Sequence, residues 1–216
     1  MDKIINWIDY DCKLIEPIIS EEELVRKIEY AYRVCYNTTY KMDIESIEDS
    51  IKFIQDKMKL GHGSPLEHVS ISFELVTSRS IANEIVRHRI AAYSQASLRY
   101  IKKDKGLDCI LPSIFNNHDN DEYKEVFVKS VEDSYSNYLK LLNSNIKAQF
   151  ARDLLPLCTA TTLICTWNIR EILHILDLRY FSSAAHPDLR LLMNKVYIRL
   201  KEHYPHIFIN SPISID

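Results

Sequence analysis

The spacing of apolar residues predicts two helices in the first quarter of the chain. Ser20 begins a capping-box pattern, and apolar residues then recur every three or four positions up to Tyr36. A second run with the same period extends from Ile44 to Met58. It stops at Gly61, a residue suited to the left-handed conformation that often follows a helix.

Between residues 68 and 77 the apolar spacing changes from a helical period to a period of two. Such an alternation of apolar and polar side chains predicts a strand with one buried face. Ser78 or Ser80 can cap a helix after this strand. We expect the basic residues 87–89 to lie at the end of that helix.

The middle of the chain predicts a short strand, a surface loop and one long helix. Residues 107–111 suit a strand, and the stretch 112–122 is rich in turn-forming residues typical of an extended surface loop. The helix that follows would place these residues on one apolar face: Tyr123, Phe127, Val131, Tyr135, Tyr138 and Leu142.

The last third predicts a strand followed by two helices. Leu157 to Trp167 is rich in Thr, Ile and Leu and carries little charge, as expected of a strand covered on both faces. Asn168 suits the N-cap of a helix over 169–179, and Pro187 suits the first turn of a last helix that reaches Tyr204. Strands interrupted by long helices indicate an α+β fold.

The composition is that of a soluble globular protein in a single domain, residues 1–216. Hydrophobic residues make up 46% and charged residues 26%, and no apolar run approaches the roughly 20 residues that span a bilayer. The net charge of −3 lacks the basic excess of proteins that coat nucleic acids. The first residues lack the features of a secretory signal. We therefore expect a cytoplasmic protein that binds neither membranes nor nucleic acids.

The cysteines and histidines indicate neither disulfides nor a metal. The five cysteines form no C-x-x-C pair: Cys12, Cys35, Cys109, Cys158 and Cys165. The histidine pairs His62 with His68 and His203 with His206 lack the H-E-x-x-H spacing of zinc sites. We predict reduced, mostly buried thiols and no metal site.

Glycine is scarce, and this scarcity limits how the chain can hold a phosphate. Its three glycines complete neither G-x-G-x-x-G nor G-x-x-x-x-G-K-[ST]. Side chains must then bind any phosphate, and arginine suits the task because its planar fork stays charged. Arginines stand near the ends of several predicted elements: Arg87, Arg89, Arg99, Arg152, Arg170 and Arg179. Alternatively, they are surface charges paired with carboxylates such as Glu84 and Asp177.

One segment resembles the signature of the flavin-dependent thymidylate synthases: Arg87-His88-Arg89, then Tyr93-Ser94-Gln95, Ser97 and Arg99-Tyr100. Three further blocks are similar to the family's pattern in the family's order, at 61–68, 151–156 and 168–179. The chain departs from that pattern at Glu84, where members often carry Gln, and at Ala92, where Ser is common. It also matches the pattern only loosely at 185–188.

The resemblance implies an enzyme that makes dTMP from dUMP, with 5,10-methylenetetrahydrofolate as one-carbon donor. Its cofactor would be FAD, reduced by NADPH. The resemblance also implies a mostly antiparallel sheet with long helices, assembled as a homotetramer that shares its sites between chains. The flavin-free class of thymidylate synthase attacks uracil with a cysteine, and no cysteine lies in the segment around residues 87–99.

Site residues are assigned by the same resemblance. FAD would contact Ser64, Arg87, His88, Arg89, Gln95, Asn168, Ile169, Arg170 and His174. The nucleotide would contact Glu84, Ile85, Val86, Arg87, Gln95, Ala96, Ser97, Leu98, Arg99, Arg152 and Arg179. Arg179 is expected to be catalytic, because a guanidinium beside the uracil N3–O2 edge stabilises negative charge there and makes C5 a better nucleophile.

Three alternatives stay open at this point. A family member could keep the flavin and lack turnover, given Glu84 and the loose block at 185–188. A binding module could use the arginines and the 13 tyrosines on single-stranded nucleic acid. Ser97 could be a nucleophile, although the sequence spacing establishes no general base for it.

Overall fold

A computed structural model describes residues 4–43, 46–116 and 121–208. The strands are β1 (Ile5–Trp7), β2 (Asp11–Leu14), β3 (Ser70–Ser78), β4 (Ala91–Gln95), β5 (Leu107–Cys109) and β6 (Ala160–Asn168). The helices are α1 (Glu21–Tyr36), α2 (Ile47–Lys59), α3 (Arg79–Ile85), α4 (Asp121–Asn143), α5 (Ala148–Ala151), α6 (Ile169–Leu176) and α7 (Pro187–His203). A π-helical turn, Asp177–Phe181, continues α6. Short 3-10 turns occupy Thr39–Asp43, Ser64–His68, Ser113–Asn116 and Arg152–Leu154.

The strands form a four-stranded sheet in the order β2-β3-β6-β4 and a two-stranded sheet of β1 and β5. The pair β3 and β6 is antiparallel, because Ile169 N donates to Val69 O at 2.9 Å whereas Arg79 N donates to Thr159 O at 3.0 Å. β1 and β5 are parallel. The predicted mixture of helices with a mostly antiparallel sheet is confirmed.

Contacts group the described residues into two compact units. The first unit draws on residues 1–11, 75–87 and 94–163, and the second on 12–74, 88–93 and 164–216. Leu107, Val131 and Tyr135 belong to the core of the first unit. The core of the second unit includes fully buried side chains of α1 and α7, such as Leu24 and Leu192. The single domain over 1–216 stays a prediction.

Local signals in the sequence locate several elements. Ser20 caps α1 as predicted, since its Oγ accepts from Glu23 N at 3.2 Å and its N donates to Glu23 Oε2 at 3.0 Å. Asn168 caps α6 through its side-chain oxygen, which accepts from Glu171 N at 2.8 Å. Pro187 begins α7 as predicted. These helix starts are confirmed because each depends on a cap that satisfies an otherwise unpaired backbone donor.

Three sequence predictions about element ends and faces are wrong. The helix α3 ends at Ile85, so residues 87–89 follow it. The predicted strand from Leu157 begins only at Ala160, because a turn in which Thr159 N donates to Pro156 O precedes it. One face of β6 is partly uncovered, and Ile164 is 41% exposed there.

Other predictions fail in part or cannot be compared. Tyr123 is 67% exposed, because the first turn of α4 lies outside the core that begins further along the helix. Ile44, at the start of the second predicted helix, and residues 117–120 of the predicted loop lie outside the described residues. Among the described residues, no helix is long and apolar enough to cross a membrane.

Candidate functional site

A cavity of about 350 Å³ lies in the second unit, around the start of α6. Its lining residues are Glu67, Ile90, Asn168, Arg170, Glu171 and His174. Three of them, Asn168, Arg170 and His174, belong to the set that the sequence assigned to FAD. The structure thus brings the predicted blocks at 61–68 and 168–179 into one pocket.

Two of the residues that line this second-unit pocket form an exposed ion pair. Arg170 Nη1 lies 2.6 Å from Glu67 Oε1, and both side chains are about half exposed. An exposed pair of this kind contributes little to stability, on the order of 0–1 kcal/mol. Arg170 can therefore exchange this partner for an anion at small cost.

The buried histidine His88 makes polar contacts on both of its ring nitrogens. Its Nε2 accepts a hydrogen bond from Arg179 Nε at 3.1 Å, and its Nδ1 lies 3.4 Å from Glu171 Oε1. Burial, together with the positive charges of Arg179 and His174, lowers the pKa of His88 to about 4. His88 is therefore neutral at pH 7, and its contact with Glu171 is not a salt bridge between two charges.

Hydrogen bonds from Tyr93 and Trp167 fix the backbone at His88. Tyr93 donates its hydroxyl to His88 O at 2.8 Å, and Trp167 Nε1 donates to the Tyr93 hydroxyl at 3.0 Å. Burial raises the pKa of Tyr93 to about 12, so this hydroxyl keeps its proton. The half-buried Arg179 lies in the π-helical turn, a departure from α-helical geometry that is frequent at functional sites.

A smaller cavity of about 220 Å³ lies in the first unit. Ala96 and Leu98, both assigned to the nucleotide, line it together with Arg79, Lys103 and Thr161. Ala96 N donates to Thr162 O at 3.0 Å, which extends the contact between β4 and β6. After it, the backbone turns at Ser97, whose O accepts from the N of Tyr100 and of Ile101.

Arg79 is the least satisfied cation of this first-unit pocket. Its Nη2 donates to Ala96 O at 2.8 Å, whereas its buried Nε has no hydrogen-bond partner among the described residues. Burial and the nearby positive charge of Arg152 both lower the pKa of Arg79. Two guanidinium groups close enough to repel each other favour an anion between or beside them.

Arg79 was not predicted as a site residue, although the sequence contains one signal for it. Arg79 is the first residue of α3, directly after the N-cap Ser78. A cation in the first turn opposes the helix dipole by about 0.3–1 kcal/mol. The unfavourable position of this arginine is therefore the signal that indicates a site for an anion. Glu67, Glu171 and Lys103 were also missed, and no local motif distinguishes them.

The remaining predicted residues fall in both units. In the first unit, Ile85 is buried, and Arg87, Gln95 and Arg99 are exposed, whereas Glu84, Val86, Ser97 and Arg152 are partly buried. In the second unit, Ser64 and Arg89 are exposed, and the side chain of Ile169 is fully buried. The assignment of these residues to FAD or to the nucleotide stays a prediction.

The cysteines and the histidine pairs contribute nothing to either pocket. All five thiols are free and, apart from Cys35, buried, as predicted. Among the described residues, no group of three or more His, Cys, Asp or Glu side chains could hold a metal ion.

Most of the chain is similar to proteins of one family. A family model described as "Thymidylate synthase complementing protein" matches residues 18–206. A flavin-dependent thymidylate synthase of Geobacter sulfurreducens is 32% identical over 183 residues, which cover 82% of this chain and 78% of that one. One of Clostridium tetani is 30% identical over 217 residues, covering 91% and 84%.

The fold is also similar to that of a solved protein. The crystal structure of a UMP/dUMP methylase from Streptomyces cacaoi, bound with 5-Br dUMP, superposes with a TM-score of 0.79. The superposition covers 95% of each chain at 20% identity. This likeness concerns the fold alone.

Proposed function

Because the chain belongs to the flavin-dependent thymidylate synthase family and is thus a methyltransferase enzyme, we propose that it converts dUMP to dTMP. In this reaction the C5 hydrogen of the uracil is replaced by a methyl group. The methylene carbon comes from 5,10-methylenetetrahydrofolate, which leaves as tetrahydrofolate. FAD, when bound and reduced by NADPH, supplies the hydride that completes the methyl group.

The observation that carries the proposal is the half-buried Arg79 of the first-unit pocket, whose buried Nε has no hydrogen-bond partner among the described residues and which lies near the charge of Arg152. A nucleotide phosphate supplies the negative charge and the acceptor oxygens that the two guanidinium groups can bind. Lys103 also lines this pocket and adds a third cation, held by Asp108 at 3.3 Å. We assign the dUMP phosphate to this pocket, with Ala96 and Leu98 against the nucleotide.

The side chains that line the second-unit pocket can donate hydrogen bonds to a flavin cofactor. Asn168, Arg170 and His174 supply an amide, a guanidinium and an imidazole around one cavity. No glycine-rich phosphate loop is available in the sequence, so side chains must neutralise a pyrophosphate. We propose that Arg170 leaves Glu67 and binds a phosphate oxygen when FAD is present.

Arg179 is the residue that we propose for activation of the uracil ring. The guanidinium keeps its charge at any physiological pH and offers five N–H donors, of which Nε–H is directed at His88. Placed at the uracil N3–O2 edge, it stabilises the negative charge that develops there and so increases the nucleophilicity of C5. The protein forms no covalent bond to the substrate in this proposal, and Ser97 has no nucleophilic role.

We further propose that the chain acts in the cytoplasm as a homotetramer with sites shared between chains. Large apolar side chains are exposed in the first unit, including Phe150, Leu154 and Leu157. Exposed apolar groups close together are typical of surfaces that another protein covers. Native mass spectrometry tests this assembly, and a monomer at micromolar concentration contradicts it.

Two of the tyrosines are buried and cannot stack on single-stranded nucleic acid. Tyr135 and Tyr138 are each 1% exposed and belong to the core of the first unit. Tyr138 accepts from Lys103 N at 3.0 Å, and Tyr135 donates to Lys103 O at 2.8 Å. These rings support the segment that lines the first-unit pocket.

The proposal is tested by reconstitution with FAD, NADPH, methylenetetrahydrofolate and dUMP. We expect yellow protein and time-dependent formation of dTMP, detected by chromatography. Flavin uptake without dTMP indicates a member that lacks turnover, and failure to take up flavin contradicts the proposal.

A second experiment tests the phosphate site separately. Arg79→Ala is expected to weaken dUMP binding by roughly tenfold to a hundredfold, the loss typical of one charged hydrogen bond. Binding of deoxyuridine, which has no phosphate, serves as the control and is expected to stay unchanged. An equal loss for both ligands would place the phosphate elsewhere.

A further inference from the structure

The contacts of His88 restrict where its proton lies. An arginine has no acceptor, so Arg179 Nε must be the donor in its 3.1 Å bond to His88 Nε2. In a neutral imidazole one nitrogen carries the proton and the other accepts. Nε2 must therefore be the unprotonated nitrogen, and the proton must lie on Nδ1.

A buried carboxylate lies close to Nδ1. Glu171 Oε1 lies 3.4 Å from Nδ1, and both side chains are 7% exposed. A carboxylate is an acceptor only, so it favours the tautomer that carries the proton on Nδ1. His174 also lies near His88, with its ring centroid 6.0 Å away in an edge-on arrangement.

We propose that Glu171 is a positioning residue for Arg179, acting through the tautomer of His88. Glu171 holds the proton on Nδ1, and the lone pair on Nε2 then fixes the orientation of the guanidinium by accepting from Nε–H. A partner that donated to Nδ1 would reverse the tautomer and set Nε2–H against the Arg179 donor. We call this chain of contacts from Glu171 through His88 to Arg179 the relay. No proton is transferred along it.

The position of Glu171 in the chain makes this role possible. Its backbone N donates to the Asn168 side chain, so the residue is fixed in the first turn of α6, while Arg179 lies in the π-helical turn after the same helix. Glu171 therefore supports a side chain about two turns further along. His88, from another segment, connects the two.

The inference rests on the proposed role of Arg179 only for its kinetic consequence. The tautomer itself is measured without any substrate, by solid-state NMR of protein labelled with ¹⁵N in its histidine rings. The His88 signals are those that disappear in His88→Asn. We expect protonated Nδ1 and bare Nε2 in the wild type, and loss of this pattern in Glu171→Ala.

Two variants serve as matched controls for the NMR measurement. Glu67→Ala removes the other carboxylate of the second-unit pocket and should leave the His88 tautomer unchanged. Glu171→Gln keeps an acceptor oxygen of the same shape and should retain protonated Nδ1. A wild type with protonated Nε2, or an unchanged tautomer in Glu171→Ala, overturns the inference.

Kinetics then connect the relay to turnover. Glu171→Ala is expected to lower kcat by roughly tenfold to a hundredfold, the effect of one hydrogen bond to a charged group, with a much smaller loss in Glu171→Gln. In a His88→Asn background the Glu171→Ala change should add little, because the two residues act in one chain of contacts. Equal losses in Glu171→Ala and Glu171→Gln contradict positioning by an acceptor.

The two proposals fail in different ways. If the wild type makes no dTMP, the proposed function fails. The NMR result still shows whether Glu171 sets the tautomer of His88. If the wild type is active and Glu171→Ala keeps both its tautomer and its kcat, the relay fails while the function stands.

Discussion

Protonation of His88 is expected to destabilise the fold as the pH falls from about 6.5 to 4. The folded protein has a pKa of about 4 at this residue, because the imidazole is buried and faces the charges of Arg179 and His174. In the unfolded chain the same group returns to its ordinary value of 6.5. The unfolded chain thus binds the proton more tightly, so the stability present above pH 6.5 is lost as the pH falls towards 4.

The size of the effect follows from the gap between the two pKa values. A gap of about 2.5 corresponds to about 3 kcal/mol in the free energy of unfolding. His88 is 7% exposed, so solvent screening reduces this figure little. Burial also raises the pKa of Glu171, which acts in the opposite direction near the acid end of the range.

The assay compares wild type with His88→Asn by urea unfolding at several pH values between 7 and 4. Tryptophan fluorescence follows unfolding of both units, because Trp7 belongs to the first unit and the buried Trp167 to the second. Both proteins are measured at one concentration and one flavin content, because assembly and ligands shift apparent stability. We expect His88→Asn to lose the part of the pH dependence due to His88, while the effect of Glu171 is common to both. Parallel curves for the two proteins would refute the reasoning.

Three further predictions concern separate features of the chain. Arg179→Ala should abolish dTMP formation while the purified protein keeps its flavin absorbance, and a loss of flavin instead would contradict the assigned role. Arg170→Ala should lower flavin retention on a desalting column, whereas Glu67→Gln, which frees Arg170 from its partner, should not; the reverse order would place the flavin elsewhere. Ser20→Ala should cost about 1 kcal/mol of unfolding free energy through loss of the α1 cap, measured by urea unfolding, with Ser20→Asp as the control that restores stability.

Features that depend on a few neighbouring residues could be predicted from the sequence. The capping box at Ser20 and the N-cap at Asn168 are local, because each satisfies backbone donors three residues away. The alternation in β3 is also local, and its buried positions match the predicted face. Long-range information is not needed for any of these features.

Features set by distant residues could not be predicted. Glu67 and Arg170 meet across 103 positions, and His88 and Arg179 across 91. The resemblance to a family selected three of these residues, whereas Glu67 was known only as part of a matching block. The tautomer of His88 could not be inferred before the contacts on both of its ring nitrogens were known.

Each unit contains the same local arrangement, which explains how a glycine-poor chain can bind phosphates. In the first unit, β3 ends at Ser78, which caps α3, and Arg79 follows in the first turn. In the second, β6 ends at Asn168, which caps α6, and Arg170 follows in the first turn. Each arginine lines a pocket.

This arrangement replaces what a glycine-rich loop provides. A phosphate loop uses backbone N–H groups, which requires glycine so that the anion can approach closely. Here the capping side chain already accepts a hydrogen bond from a backbone N–H group. The arginine of the first turn supplies positive charge and N–H donors from its longer side chain instead. A cation in that turn costs about 0.3–1 kcal/mol against the helix dipole, and a bound anion removes that cost. The position of Arg79 and Arg170 in the first turns of α3 and α6, which is unfavourable for a cation, is therefore a reason for each pocket to bind an anion.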